Sequence, residues 1–497
     1  MSPSVTTRVE WEERASTLTL PTAAYIGGAQ VDAVSGQEFA NFSPTTGDVL
    51  NHVASSDVAD ADRAVAAARA AFIQGDWANS SPGDRKKVLL RLAGLIRQNA
   101  EELALLECLD MGKPISDALT VDVPAAAGVW QWHAEAIDKI YDEIAPTGPG
   151  DLAMVRREPL GVVAAVVPWN FPLDMAAWKC APALATGNSV VLKPAEQSPL
   201  SALRLAELAT EAGVPDGVFN VLPGFGETAG RALGRHLDVD CLAFTGSTEV
   251  GKYFLSYSAE SNAKPVWLEL GGKSPNVVFA DAESLDDVAA KSAFGIFYNQ
   301  GEVCSANSRL LVHRSVKDEL LQKLVEEAER MAPGHPLDPD TAMGALVTRE
   351  HTDRVMEFVE SGRKSARLVI GGDRLTLSSD CYVTPTIFDD VSNDQEIARD
   401  EIFGPVLSVI AFDDESEAVS IANDTQFGLA ASVWTSNLSR AFRVAEQLKV
   451  GTVSVNTVDA LSPMTPFGGF KQSGVGRDLS LHSFDKYTAL KTTWISY

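Results

Sequence analysis

At 497 residues the chain exceeds what one simple core holds, and its 45% hydrophobic and 22% charged residues are the balance of a globular enzyme of two or three domains. A net charge of −26 argues against nucleic-acid partners, and no apolar run approaches the roughly 18 residues of a membrane span or forms a secretory leader. The five cysteines are dispersed without a Cys-x-x-Cys pair, which argues against a disulfide framework and a metal site and for a cytoplasmic chain.

The residues up to about Leu20 are polar and mixed and read as a loosely held arm. Alanine-rich helical spacing over 59–76, then apolar positions three and four apart over 84–111, make the first segment mostly helical. Residues 141–159 alternate apolar and polar around Pro146-Thr-Gly-Pro-Gly-Asp151, the pattern of a hairpin. From Leu160 the texture changes: 161–167, 189–193, 218–222, 241–244 and 266–269 are short apolar strands separated by helical stretches such as 200–212 and 226–236. That alternation predicts a parallel, doubly wound α/β sheet. A second series, with strands at 276–279, 308–312, 405–412 and 451–455 and helices near 284–298 and 315–331, predicts a second α/β domain. The extended tail, 490–497, is placed to pair with the 141–159 ribbon or with another subunit.

Several motifs in this frame carry chemistry. Asn299-Gln-Gly-Glu-Val-Cys304 puts a thiol in a glycine-containing loop 35 positions after Glu269, which ends the 266–269 strand. A thiolate attacks an electrophilic carbon, and a carboxylate opposite it deprotonates the water that releases the product. The pair predicts a two-stage reaction through a thioester. Pro168-Trp-Asn170-Phe-Pro172 holds an amide between two aromatics, where its N–H can stabilise an oxyanion, an effect worth roughly 3–4 kcal/mol in a protease. Two glycine motifs compete for a phosphate: Gly224-Phe-Gly226-Glu-Thr-Ala229, with the dinucleotide spacing, and Gly246-Ser-Thr-Glu-Val-Gly251, which opens a helix. Each reads equally well as a helix-entry turn, and their coexistence in a doubly wound sheet favours a nucleotide. Lys193-Pro-Ala-Glu196 ends a buried strand where such sheets bind ligands, and the Glu196 charge opposes a 2′-phosphate, which favours NAD over NADP.

These segments, with Leu268-Glu-Leu-Gly-Gly-Lys-Ser-Pro-Asn276, Glu401-Ile-Phe-Gly-Pro405 and Pro466-Phe-Gly-Gly-Phe-Lys-Gln-Ser-Gly474, resemble the NAD(P)-dependent aldehyde dehydrogenase superfamily, in family order from about residue 25 onward. The resemblance implies an NAD-binding domain over 20–140 and 160–270 and a catalytic domain over 271–470. It adds a β-ribbon oligomerisation arm and tail over 141–159 and 480–497, with assembly as a homodimer or homotetramer. Cys304 becomes the nucleophile, Glu269 the general base, and Asn170 with the Cys304 amide the oxyanion hole. Lys193 and Glu196 would hold the adenosine ribose, Gly246 and Ser247 the pyrophosphate, and Glu401 the nicotinamide ribose, with Trp169, Leu270 and Phe403 beside them. Lys179 and Asp478 match positions used for proton movement, although the family more often has glutamate at the latter. The implied cycle is thiolate addition to an aldehyde, hydride transfer to NAD, and hydrolysis of the thioester; the retained Glu269 argues against acyl transfer to coenzyme A.

The segment from Phe467 to Thr488 resembles bacterial dehydrogenases of putrescine and arginine breakdown, which act on γ-glutamyl-γ-aminobutyraldehyde, 4-guanidinobutyraldehyde or γ-aminobutyraldehyde. Glu302 and Asp459 are expected as acidic groups near the substrate tunnel, and Phe171, Trp178 and Phe467 along its apolar stem. These features point to an ω-amino or blocked-amino aldehyde. The loop Asn456-Thr-Val-Asp-Ala-Leu-Ser-Pro463 is more apolar than in those relatives and keeps a broad aliphatic or aromatic substrate in play. A non-catalytic protein and a thiol esterase on the same fold are further readings; the intact Cys304, Glu269 and Asn170 stand against the first.

Overall fold

The computed structural model describes residues 7–497, organised by two large sheets. The first has eight strands, in the order Ala29–Val31, Ala24–Ile26, Phe219–Val221, Ser189–Lys193, Val162–Val166, Cys241–Thr245, Val266–Glu269 and Gly474–Val475. The five from Phe219–Val221 to Val266–Glu269 are parallel and, numbered as the chain makes them, run 3-2-1-4-5. This is the doubly wound arrangement. Strand order reverses between Val162–Val166 and Cys241–Thr245, and the crevice at such a reversal is where these sheets hold ligands. Both of those strands are buried throughout, which is why they read as unbroken apolar runs.

The second sheet orders Arg367–Ile370, Thr386–Asp389, Val406–Phe412, Arg309–His313, Pro275–Val278, Ala430–Trp434 and Thr452–Val455, parallel except for its first pair. Residues 270–274 carry the chain from one sheet to the other. In a third sheet, Thr488–Ser496 lies antiparallel to Asp151–Pro159, in register from Thr488 opposite Pro159 to Ser496 opposite Asp151, and Glu143–Ala145 flanks the latter strand. The tail therefore closes on the ribbon of its own chain. Its outer edge is unpaired among the described residues, and Leu490, Trp494 and Tyr497 are exposed along it. No helix among the described residues is long and apolar enough to cross a membrane.

Of the arm expected up to Leu20, residues 1–6 lie outside the described residues, and the rest is not loosely held. Arg8–Thr17 is a helix whose first turn is closed by reciprocal hydrogen bonds between Thr7 and Glu10, and Trp11 is only 2% exposed in the core. Periodicity misses it because the helix is anchored by one large side chain instead of an apolar stripe. Nor does the first segment open with helices: Ala24–Ile26 and Ala29–Val31 extend the first sheet, and Glu38–Phe42 pairs with Val49–Ala54. The span expected over 84–111 is two helices, Pro82–Gln98 and Ala100–Met111, broken at Asn99. The first sheet also takes Gly474–Val475, well beyond the 270 at which its segment was expected to end.

Candidate active site

Loops leaving the parallel strands converge on Cys304. Val162–Val166 runs into Pro168-Trp169-Asn170-Phe171, Cys241–Thr245 into Gly246-Ser247, and Val266–Glu269 ends on Glu269. The cysteine follows a tight turn in which Asn299 (φ 49), Gln300 (φ 58) and Gly301 (φ 74) are all left-handed. Glycine is required at 301 for space as well as for φ, since a Cβ there would overlap the Gly404 carbonyl. Asn299 Nδ2 donates to the carbonyls of Asn170 and Glu302 at 3.2 Å each, and Asn170 Nδ2 donates to the Glu302 carbonyl at 2.9 Å. Asn170 is thereby tied to the cysteine loop, with its second amide hydrogen left for another acceptor.

Cys304 lies where two cavities meet. The first, of about 480 Å³, is walled by Phe171, Met175, Trp178, Tyr298, Phe467 and Leu479, with Asp122, Asp174 and Asp459 among its linings. Trp178 and Phe467 pack edge to face at 5.2 Å, and Phe171 stacks on Tyr298 at 6.3 Å. Phe171 caps helix Pro172–Ala185, and the spacing of Phe171, Asp174, Met175 and Trp178 puts all four on one face of it. Asp459 Oδ1 accepts from Ser305 Oγ at 2.7 Å, which fixes the residue next to the thiol.

The second cavity, of about 220 Å³, runs past Trp169, Gly246, Ser247, Leu270, Glu401 and Phe403. Ser247 caps helix Thr248–Ala259, so the helix N-terminus opens near it. Glu401 accepts from the Gly272 amide at 3.1 Å, and any Cβ at Gly271 would overlap its carboxylate. Sequence reasoning passed over His351 and Arg354, which line the same space; helix Arg349–Ser365 carries them in a stretch without a motif. Burial holds His351 down at about 4, so it is neutral, and its Nε2–H donates to the Phe403 carbonyl at 2.7 Å. Lys193 Nζ meets Glu196 at 2.9 Å, but Glu196 borders neither cavity. It faces a third, of about 310 Å³, with Gln197 and Phe225.

Burial governs the electrostatics. It pushes Glu269 up to about 8, with Asp478 adding to the rise and Lys179, Lys486 and Arg477 opposing it. It also drives the Cys304 thiol well above its ordinary value, and the carboxylates of Glu269, Asp459 and Glu401 add to that. Cys304 therefore rests as a neutral thiol. Glu302 departs from expectation: its carboxylate is fully buried, accepts from the Val347 amide at 3.0 Å, and lines no tunnel. The left-handed turn before it sends its side chain away from the cavity that Cys304 faces. Lys179 and Asp478 do meet, and Lys486, which the motifs gave no reason to single out, joins them.

A thiol at the reversal of a doubly wound sheet, open on one side to a helix N-terminus and on the other to an apolar tunnel, is the layout of an α/β oxidoreductase. The profile of the aldehyde dehydrogenase family matches residues 31–493, and the chain belongs to that family and is an aldehyde dehydrogenase. It is 51% identical over 486 residues to the NADP/NAD-dependent aldehyde dehydrogenase PuuC of Escherichia coli, covering 98% of each chain. Among solved structures it matches the indole-3-acetaldehyde dehydrogenase AldA of P. syringae, in complex with NAD+ and IAA, with a TM-score of 0.98 at 56% identity over 99% of this chain and 100% of that one. A γ-glutamyl-γ-aminobutyraldehyde dehydrogenase from Burkholderia cenocepacia matches with the same TM-score of 0.98, identity of 56% and coverage of 99% and 100%.

Proposed function

We propose that the chain oxidises an ω-amino, guanidino or γ-glutamylamino aldehyde of polyamine breakdown to its acid, with NAD, through a thioester on Cys304. The observation that carries the chemistry is that this thiol opens on both cavities at once. The second cavity fits the cofactor in its donor set: Ser247 and Gly246 at a helix N-terminus for the pyrophosphate, and Glu401, brought close by the missing side chain of Gly271, for the nicotinamide ribose. Trp169, Leu270 and Phe403 would flank it, while Lys193 and Glu196 would hold the adenosine ribose. When bound, NAD supplies the hydride acceptor. The Asn170 amide and the Cys304 N–H stabilise the oxyanion formed when sulfur adds to the carbonyl carbon. Ionised Glu269 takes a proton from water as that water attacks the thioester.

The aldehyde's tail is read from the tunnel, where Asp122, Asp174 and Asp459 interrupt an aromatic wall. Oδ1 of both Asp122 and Asp174 is buried without a hydrogen-bond partner among the described residues, and four carboxyls (Glu107, Asp117, Asp122 and Asp174) surround one ammonium, that of Lys113. Such a lining favours a cationic or hydrogen-bonding end group. PuuC and the Burkholderia cenocepacia enzyme lend this reading support. A second reading, a plain aliphatic or aromatic aldehyde, is favoured by Phe171, Trp178, Tyr298 and Phe467 and by the likeness to AldA. Initial rates across 4-guanidinobutyraldehyde, γ-glutamyl-γ-aminobutyraldehyde, hexanal and benzaldehyde, with NAD and NADP, separate them. A higher kcat/KM for hexanal or benzaldehyde sinks the first reading.

We further assign 20–140 with 160–270 to an NAD-binding domain, 271–470 to a catalytic domain, and 141–159 with 480–497 to an oligomerisation arm. The unpaired edge of Thr488–Ser496 and the exposed Leu490, Trp494 and Tyr497 support assembly as a cytoplasmic homodimer or homotetramer. Light scattering that finds a monomer at micromolar concentration refutes it.

A further inference from the structure

Behind Glu269 the protein buries an ion cluster. Asp478 sits between two ammonium groups, Lys179 Nζ on its Oδ2 and Lys486 Nζ on its Oδ1, with Lys179 and Asp478 each 1% exposed and Lys486 4%. Three elements bring them together. Lys179 comes from helix Pro172–Ala185, and Lys486 ends the turn Leu481–Lys486 that leads into the arm strand. Asp478 is pinned to Phe467 by reciprocal backbone hydrogen bonds of 2.7 and 2.9 Å. Two ammonium groups against one carboxylate leave one surplus positive charge in a dry region, and buried charge is tolerated only when matched. The carboxylate beside the cluster is Glu269, 3% exposed, which pairs in the sheet with Gly474. A Cβ on Gly468, next to the Phe467 that pins Asp478, would come within 3.1 Å of its Oε2, and its Oε1 has no hydrogen-bond partner among the described residues.

We infer that Lys486 is a positioning residue for the hydrolytic step: it holds Asp478 as a fixed anion and supplies the surplus positive charge that ionised Glu269 balances. Asp478 is then a counter-ion spanning two lysines and not a group that gives and takes protons. Besides the cluster, Glu269 faces Arg477 and the Cys304 thiol. Arg477 is partly exposed and donates to the Gly469 and Gly476 carbonyls at 3.0 and 2.7 Å, so water screens it more than the two lysines. Burial raises Asp478, yet the two lysines hold it below the usual carboxylate range. In the step itself, water oxygen bonds to the thioester carbon while its proton passes to the Glu269 carboxylate. The C–S bond then breaks and its electron pair leaves with sulfur. Only ionised Glu269 can take that proton, so the ionised fraction sets the rate.

The inference rests on Glu269 being the base, and p-nitrophenyl acetate turnover by the cofactor-free enzyme reads the step without NAD. Lys486→Met moves the acid limb of the deacylation profile up by about one pH unit, and Lys486→Arg restores it. Asp478→Asn moves the limb down. The double variant Lys486→Met/Asp478→Asn, which removes one charge of each sign, returns it near the parent position. Circular dichroism reports which variants fold; should Lys486→Met fail to, Asp478→Asn and the double variant still decide. Glu269→Gln keeps the two ideas apart. If it deacylates at the parent rate, the base is another group and the proposed function is wrong on that point. If it is inactive while Lys486→Met leaves the limb in place, or Asp478→Asn loses turnover at every pH as a proton relay would, only the role of Lys486 is overturned.

Discussion

A substrate of fixed charge titrates the tunnel's acidic lining. Asp174 is partly buried with its Oδ1 sealed from solvent, and burial raises it to about 8, with Asp122 and Glu107 adding to the rise and Lys113 opposing it. On that value about a tenth of Asp174 is ionised at pH 7 and about nine-tenths at pH 9. The guanidinium of 4-guanidinobutyraldehyde stays charged across this range, so only the protein's charge changes. If the guanidinium binds ionised Asp174, its kcat/KM relative to that of hexanal rises by up to about tenfold from pH 7 to pH 9, or about 1.4 kcal/mol. Titration of Glu269 affects both aldehydes alike and cancels in the ratio. Asp174→Asn removes most of the slope, leaving what Glu107 and Asp117 contribute, and lowers the guanidino aldehyde's kcat/KM at pH 9 by about ten- to a hundredfold, the range of one hydrogen bond to a charged group. Hexanal stays within about twofold. The assay is initial NADH formation at a series of pH values. A ratio that does not move with pH, or a variant that loses both substrates equally, would falsify charge recognition by this lining.

Further outcomes follow from other parts of the site and fold. Asn170→Ala removes an oxyanion donor and lowers kcat by about 10²–10³-fold with KM little changed; a KM effect alone means that Asn170 only shapes the loop. Glu196→Gln takes away the charge that opposes a 2′-phosphate, so the NADP/NAD ratio of kcat/KM rises, and an unchanged ratio removes Glu196 from cofactor selection. Trp11→Ala empties a core position and costs about 3–5 kcal/mol in denaturant unfolding, whereas a neutral effect means that the N-terminal helix is not docked as described.

Legibility differed between sheet and site for physical reasons. A central parallel strand buried on both faces writes itself as an apolar run, so Ser189–Lys193 can be read to the residue. Ala24–Ile26 and Gly474–Val475 are too short to carry a period and join the sheet only through tertiary pairing. Asn170 stood out because it follows the end of strand Val162–Val166, and Cys304 because it sits in a glycine-containing loop after helix Leu285–Phe297; the hydrogen bonds of Asn170 and Asn299 bring the two loops together. Asp174 was passed over, since it belongs to no motif and is found only once helix Pro172–Ala185 sets it beside Phe171, Met175 and Trp178 along the tunnel. Lys486 was not readable at all, since one of its two cluster partners, Lys179, lies in a helix some three hundred positions earlier in the chain. Glu302 was misread because proximity to Cys304 in sequence is not proximity in space across a left-handed turn.

The charges around the thiol form two clusters of opposite surplus. Behind Glu269, two lysines face one aspartate. Along the tunnel, Glu107, Asp117, Asp122 and Asp174 surround Lys113, and burial raises Glu107 and Asp117 each to about 7. On the readings proposed above, the positive surplus would serve the ionisation of a base and the negative surplus the reception of a cation. Were they one network, a bound cationic tail would shift the protonation of Glu269, and substrate charge would alter the hydrolytic step. The charges that act most on Glu107, Asp117, Asp122 and Asp174 belong to their own cluster, and those on Asp478 and Glu269 to the other, which argues for independence. A double-mutant cycle between Asp174→Asn and Lys486→Met measures it directly. Independent clusters give a coupling below about 0.5 kcal/mol in the single-turnover rate of deacylation after 4-guanidinobutyraldehyde oxidation, and a larger coupling means that tail recognition and hydrolysis share one electrostatic network.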